Sequence, residues 1–230
     1  MNNSIEKKEK VKIIFDSISW RYDFLNHFLS AGIDFYWRKK ALKLSRINAD
    51  AKLLDVACGT GDFSIAAKKF NVSDIYGIDF SFNMLQLFQR KMPEIKGKIT
   101  QSIAEALPFK NEIFTNILVA FGVRNFFDIP AAFNEFFRVL KPGGKVSILE
   151  FSLPRNALFK LFYLFYFRNI LPFVGRIISR NREAYSYLPD SVSEFHQKIN
   201  LVELLKIAGF KNIEVYSLTL GIVQLIIAEK

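Results

Sequence analysis

Leu54-Asp55-Val56-Ala57-Cys58-Gly59-Thr60-Gly61-Asp62 is the stretch of this 230-residue chain richest in chemical content. Glycines so close together let a backbone approach a ligand and turn sharply into a helix, whose first N–H groups then face that ligand. Asp79 closes the next apolar run, where a carboxylate can accept hydrogen bonds from both hydroxyls of a ribose. Loop and acid together predict a nucleoside-bearing cofactor at a sheet edge. A dinucleotide loop wants a third glycine, and Gly59-Thr-Gly61-Asp-Phe-Ser64 has Ser there. Asp62 at the helix start would also repel a pyrophosphate. A cationic sulfonium has no phosphate to seat and suits carboxylates at Asp55 and Asp62, so the charges favour S-adenosylmethionine (SAM).

Such a site needs strands that end at one edge. From Lys52 onward, short β-branched or Leu-rich runs alternate with helical stretches: Lys52–Val56 then Asp62–Lys69, Asp74–Ile78 then Phe82–Lys91, Lys98–Ser102, Ile113–Ala120 then Ala131–Leu140, and Lys145–Glu150. The alternation predicts right-handed crossovers and a parallel sheet covered on both faces. A helix over Leu201–Ala208 precedes two strands, Asn212–Ser217 and Ile222–Ala228, whose short connection requires antiparallel pairing. The expected fold is α/β: a doubly wound, mostly parallel seven-stranded sheet, Rossmann-like, with a terminal antiparallel strand. Residues 1–48 read as a helical cover in which Trp37 opens an amphipathic turn. Residues 49–153 and 190–230 read as the sheet core of a single domain. Residues 154–189 break the alternation and read as an inserted helical segment, apolar almost all round, with Pro172 as a breaker.

The composition is that of a globular protein: half the residues are hydrophobic and 23% are charged. Phe occurs 25 times, and Lys+Arg exceed Asp+Glu by 32 − 22 = 10. That excess suits nucleic acid, an anionic membrane surface or an anionic substrate. Six of the bases, and no acid, fall between Phe151 and Arg182. The lone Cys58 excludes an internal disulfide and fits a reducing compartment. The longest charge-free run, Val215–Ala228, has 14 residues, short of the roughly 20 a membrane span needs. The first residues carry acids and no apolar core, unlike a targeting peptide, so the expected location is the cytoplasm. His27 and His196 lack partners at ligand spacing, so no metal is expected.

With these residues in place, the chain is similar to class I SAM-dependent methyltransferases. More narrowly, from about Val11 to Ala228, it resembles the ubiquinone/menaquinone biosynthesis C-methyltransferase family. The resemblance rests on Phe15-Asp-Ser-Ile-Ser-Trp-Arg-Tyr22-Asp23-Phe-Leu-Asn26, Ala106-Leu-Pro-Phe109, Ala120-Phe-Gly-Val-Arg124-Asn125 and the run from Arg138 to Ser152. It continues through Glu183-Ala-Tyr185-Ser-Tyr187-Leu188 and Leu218-Thr-x-Gly221-Ile-Val223. The chain departs from the family pattern at Leu25, Asp34, Ala57-Cys58 and Gln224-Leu225-Ile226. Carried over by motif, the cofactor contacts are Thr60 in the loop, Asp79 at the ribose, Ile103 and Ala104 flanking the adenine, and Ala120 near the sulfonium, which join Asp55, Gly59 and Gly61 of the loop read above.

The resemblance implies methylation of a ring carbon on a polyprenylated quinol, demethylmenaquinol or its benzoquinol counterpart. Arg124 and Asn125 would then stabilise or orient the quinol oxygens, and Tyr22 and Asp23 would close the pocket, with Asp23 a candidate base. The Phe-rich basic insertion suits an isoprenoid tail and peripheral contact with an anionic membrane at its inner face. An RNA substrate lacks its aromatic-plus-basic motif, so no nucleic-acid partner is expected. The alternatives are a methyltransferase acting on another lipid or small aromatic, and a SAM-binding scaffold of the quinone pathway. The sequence leaves open a homo-oligomer and an assembly with other quinone-pathway enzymes.

Overall fold

Alternate residues of each central strand are apolar, and the computed structural model buries them on two opposite sides of one sheet. It describes His27, Ser30 and residues 32–154, 156–166 and 191–230. Tyr22, Asp23, most of the expected cover and the larger part of the insertion, including Pro172 and the motif at Glu183–Leu188, lie outside the described residues.

The order of elements is α1 (Ile33–Leu44), β1 (Lys52–Val56), α2 (Asp62–Lys68), β2 (Asp74–Asp79), α3 (Phe82–Lys91), β3 (Ile99–Gln101), β4 (Phe114–Ala120), α4 (Ile129–Val139), β5 (Leu140–Phe151) and α5 (Ala157–Phe165). Helix α6 over residues 191–198 follows, then α7 (Leu201–Ile207), β6 (Lys211–Leu218) and β7 (Val223–Glu229). The seven strands lie in the order β3-β2-β1-β4-β5-β7-β6. β1 to β5 are parallel, and β7 runs antiparallel to both β5 and β6, between them.

Leu53, Ile75, Leu118 and Leu149 pack under α1, α2 and α3, with Trp37, Leu42, Phe63 and Phe88. Their strand neighbours Leu54, Val56, Ile117 and Val119 pack instead under α4 and α7, with Phe133, Phe136, Leu201 and Leu205. This period of two is what a strand buried on both faces requires. The helices begin where the sequence offers a cap. Ser81, Asp128 and Asn200 accept from the N–H groups of Met84, Ala131 and Glu203.

Two boundaries differ from the sequence reading by more than two residues. α1 starts at Ile33 rather than Trp37, because Gly32 in a left-handed conformation (φ 75°) admits a full turn carrying Asp34. β5 starts at Leu140 rather than Lys145, because Leu140 already pairs with Phe114 and the register slips before Asn116. The Lys-Pro-Gly-Gly segment is taken into the strand as an irregularity.

β1 has β2 on one side and β4 on the other, so the chain leaves it in one direction and returns on the other side. The carboxyl ends of β1 and β4 therefore part and open a crevice. No helix among the described residues is long and apolar enough to cross a membrane.

Candidate functional site

The crevice is a cleft of about 650 Å3. Ala57 and Gly59 form its floor after β1, Asp79 and Phe80 one side after β2, and Ile103 and Ala104 the wall beyond β3. Ala120, Phe121 and Gly122 at the end of β4, with Asn125, close the other side. Three φ values near the β1 end are left-handed: Ala57 at 52°, Gly59 at 54° and Gly61 at 84°. The Cys58 N–H donates to the carbonyl of Ile78 (2.9 Å), which stitches the loop to β2. Gly61 is sterically obligatory, since a Cβ there would lie 1.9 Å from the ring of Phe88 in α3.

Asp79 is buried at the rim. Its Oδ2 accepts from the Gly59 N–H and its Oδ1 from the Ser81 N–H, both at 2.8 Å. Two backbone donors fix the orientation of the carboxylate at the edge of the cleft. Glu105 performs a similar service for the roof. Its Oε1 accepts from the N–H groups of Phe127 (2.6 Å) and Asp128 (3.1 Å), which holds the aromatic loop after Asn125 over the cleft. Sequence reasoning missed Glu105, Phe80, Met84 and Phe127 as site residues. Glu105 directly follows the Ile103-Ala104 pair, but its partners lie more than twenty residues away and leave no local signal.

The other carboxylates of the loop face elsewhere. Asp55 is buried beneath it, and its Oδ2 accepts from the Ser64 N–H (3.1 Å) and Oγ (2.6 Å). Burial drives its pKa up to about 7, although the Ser64 hydrogen bonds pull the other way. Asp55 thus caps the first turn of α2 and does not line the cleft. Thr60 is also buried, its Oγ1 accepting from Lys91 (3.1 Å). Asp62 pairs with Lys91 and lies 3.7 Å from Arg38 and 3.6 Å from His27. The expected pair of carboxylates is thus turned away from the cleft, Asp55 engaged by Ser64 and Asp62 by Lys91, Arg38 and His27, while Asp79 lines it.

His27 also lies 2.7 Å from Asp34, which Arg38 contacts at 2.5 Å and Ser30 at 2.7 Å. Burial alone would raise Asp34, but Ser30 and Arg38 hold its pKa below the ordinary value. His27 thus has two carboxylates that the sequence spacing did not reveal. Arg38 and Lys91 already compensate both, so the cluster reads as a charge seam between α1, α2 and α3.

Beyond Gly122, a 3-10 turn over Val123–Asn125 carries Arg124. Arg124 is 9% exposed, and Glu150, near the end of β5, is fully buried. One guanidinium nitrogen donates to Glu150 Oε1 (2.8 Å) and to the carbonyl of Phe121 (2.5 Å). Tyr163 of α5 is buried close by. Burial pushes its phenol up, and the charge of Arg124 offsets this in part. Arg124 is thus no surface residue; it is half of a buried ion pair beside the cleft-lining Asn125.

The residues fit SAM. The Asp79 carboxylate is preset by two N–H donors, Ile103 and Ala104 offer an apolar wall, and Gly59 and Gly122 leave the main chain bare on either side of it. A sequence profile of the ubiE/COQ5 methyltransferase family matches residues 3–230. The ubiquinone/menaquinone biosynthesis C-methyltransferase UbiE of Geotalea daltonii is 45% identical over 231 residues, 98% of either chain. The demethylmenaquinone methyltransferase of Chlorobaculum tepidum is 41% identical over 229 residues, covering 98% of this chain and 94% of its own. Among solved structures, a SAM-dependent methyltransferase of Thermotoga maritima superposes with a TM-score of 0.63 at 20% identity, over 95% of this chain and 99% of its own.

Proposed function

The chain belongs to the ubiE/COQ5 methyltransferase family, and on that premise we propose that it methylates a ring carbon of a polyprenylated quinol, with SAM as donor. The acceptor class follows from the relatives, one of them a demethylmenaquinone methyltransferase. The observation that carries the reading is Asp79, a buried carboxylate oriented by two N–H donors in an apolar cleft that Asn125, next in sequence to Arg124, also lines.

SAM supplies an already activated methyl group, so the protein's work is alignment and proton management. Asp79 holds the ribose, the backbone of Ala57 and Gly59 forms the floor, and Ile103 and Ala104 flank the adenine. The main chain of Ala120 stands near the sulfur. Such alignment can lower a barrier by roughly 7–11 kcal/mol. The acceptor must lose a hydroxyl proton to make its ring carbon nucleophilic, and phenols ordinarily titrate near about 10. Arg124 lowers that value by stabilising the phenolate, directly or through a water, and Asn125 orients the second ring oxygen. Tyr22 and Asp23, outside the described residues, would complete the pocket by the family resemblance, with Asp23 the candidate base.

The acceptor's tail bears on partners. Leu158, Leu161 and Phe165 are exposed at spacings of three and four on α5, so they form one apolar stripe. Together with the acid-free basic run from Phe151 to Arg182, the stripe favours peripheral contact with an anionic membrane at its inner face.

The test uses purified protein, methyl-labelled SAM and a reduced demethylated polyprenyl naphthoquinol. Label is expected in the ring. Arg124→Ala should slow turnover by about 100-fold or more, as loss of an oxyanion donor does, with SAM affinity retained by calorimetry. Labelling of RNA alone, or undiminished turnover in the variant, overturns the reading.

A further inference from the structure

Burying an ion pair removes two charges from water, and the pair rarely repays that in stability. Arg124–Glu150 is such a pair, with both side chains at least nine-tenths buried, so its geometry invites a reason other than stability. Among the described residues the Glu150 carboxylate accepts three hydrogen bonds, all at this corner. Its Oε1 accepts from the Arg124 guanidinium (2.8 Å) and from the Phe151 N–H (3.0 Å), and its Oε2 accepts from the Arg124 N–H (3.3 Å). Glu150 thus holds the main chain and the side chain of Arg124 together.

Two further contacts restrict the guanidinium. Phe121, a non-glycine residue in a left-handed conformation (φ 56°), aims its carbonyl at the same terminal nitrogen that Glu150 engages. A strained residue of this kind persists only where its surroundings enforce it, and such residues gather at functional sites. The ring of Phe151 lies 5.6 Å from the guanidinium carbon. One edge of the group is therefore occupied. Its Nε–H is buried with no hydrogen-bond partner among the described residues. A buried charged donor left unsatisfied marks a place kept for something else.

We propose that Glu150 is a positioning residue for methyl transfer: it clamps and electrically compensates Arg124 so that only the Nε edge is presented to an oxygen of the acceptor. This rests on the reading of Arg124 as the acceptor-side residue. Among the described residues, the titratable groups that face the Arg124 charge are Glu150 from β5 and Tyr163 from α5. Compensation sets the field at the acceptor. With Glu150 in place the corner is near neutral, and without it the guanidinium charge stands alone and favours a phenolate more strongly.

Glu150→Gln keeps the size of the side chain and removes its charge. The expected result is a kcat lower by about ten-fold or more, since an ångström of misplacement is felt at this level, with SAM affinity within about two-fold by calorimetry. The acid limb of kcat, which reports the hydroxyl of the bound acceptor, should move to lower pH by about one unit. A merely structural loss would reduce the active fraction and leave the limb where it was. Added to Arg124→Ala, the Gln substitution should cause almost no further loss, because Glu150 acts through Arg124. That double variant buries no unpaired charge, so it decides the matter even if Glu150→Gln alone does not fold. An unmoved limb in Glu150→Gln, or a double variant slower than Arg124→Ala by the full single-variant factor, overturns the proposal. If Arg124→Ala itself turns over like the wild type, the Arg124 reading fails instead.

Discussion

Asp55 and Asp79 end neighbouring strands and have opposite fates. Asp79 is held at the rim under two N–H donors, whereas Asp55 is sealed beneath the loop with its pKa raised to about 7. The sequence marks both as acids at strand ends but not which faces ligand, since that depends on where Ser64 lands after the turn. The difference has a measurable sign. Between about pH 4, where an unfolded Asp titrates, and about pH 7, the folded chain holds a proton on Asp55 that the unfolded chain has lost. Through this group stability falls as pH rises across that window and levels off above it. Asp55→Asn removes this contribution. Melting curves at pH 5 and pH 8 should show a smaller loss of Tm at the higher pH in the variant than in the wild type. An equal loss in both would disprove the assignment.

At the scale of elements, α2 and α3 touch at Gly61, where the ring of Phe88 occupies the space of a missing side chain. Gly61→Ala meets two penalties, overpacking of about 1–3 kcal/mol and left-handed strain of about 1–2 kcal/mol. A urea midpoint lowered by an equivalent of about 2–5 kcal/mol, with an unchanged slope, is the expected outcome. A variant as stable as the wild type would mean that the loop and α3 separate freely. Strands such as Lys52–Val56 and helices such as Phe82–Lys91 were legible in the sequence because periodicity and turn residues agree there. The start of β5 was not, because Leu140 pairs with Phe114 across a slip in register. Nor was the seam of His27, Asp34, Arg38, Asp62 and Lys91, which joins three helices whose spacing in sequence carries no common signal.

For the whole molecule, a net charge of +10 and the exposed apolar stripe of α5 make one joint statement about lipid. Each base near an anionic surface contributes about 1 kcal/mol, and salt screens the attraction within about 10 Å at 0.1 M. The protein should sediment with vesicles containing phosphatidylglycerol at low salt and be released at high salt. Replacing Leu161 by Ser should weaken what remains. Equal binding to neutral and anionic vesicles would exclude a role for the charge.

The placing of β7 governs the order in which the molecule can be made. It follows β6 in the chain yet lies between β5 and β6, so neither neighbour has its partner until β7 has been synthesised. On the ribosome, β1 to β5 can assemble while β6 waits as a loose end. The sheet is then completed by a strand that must slide into an open slot bounded by residues some eighty positions away on β5. Contacts so remote in sequence form slowly. The slot, lined by Val146 and Ile148, is where a half-made chain is most exposed to aggregation and most in need of a chaperone.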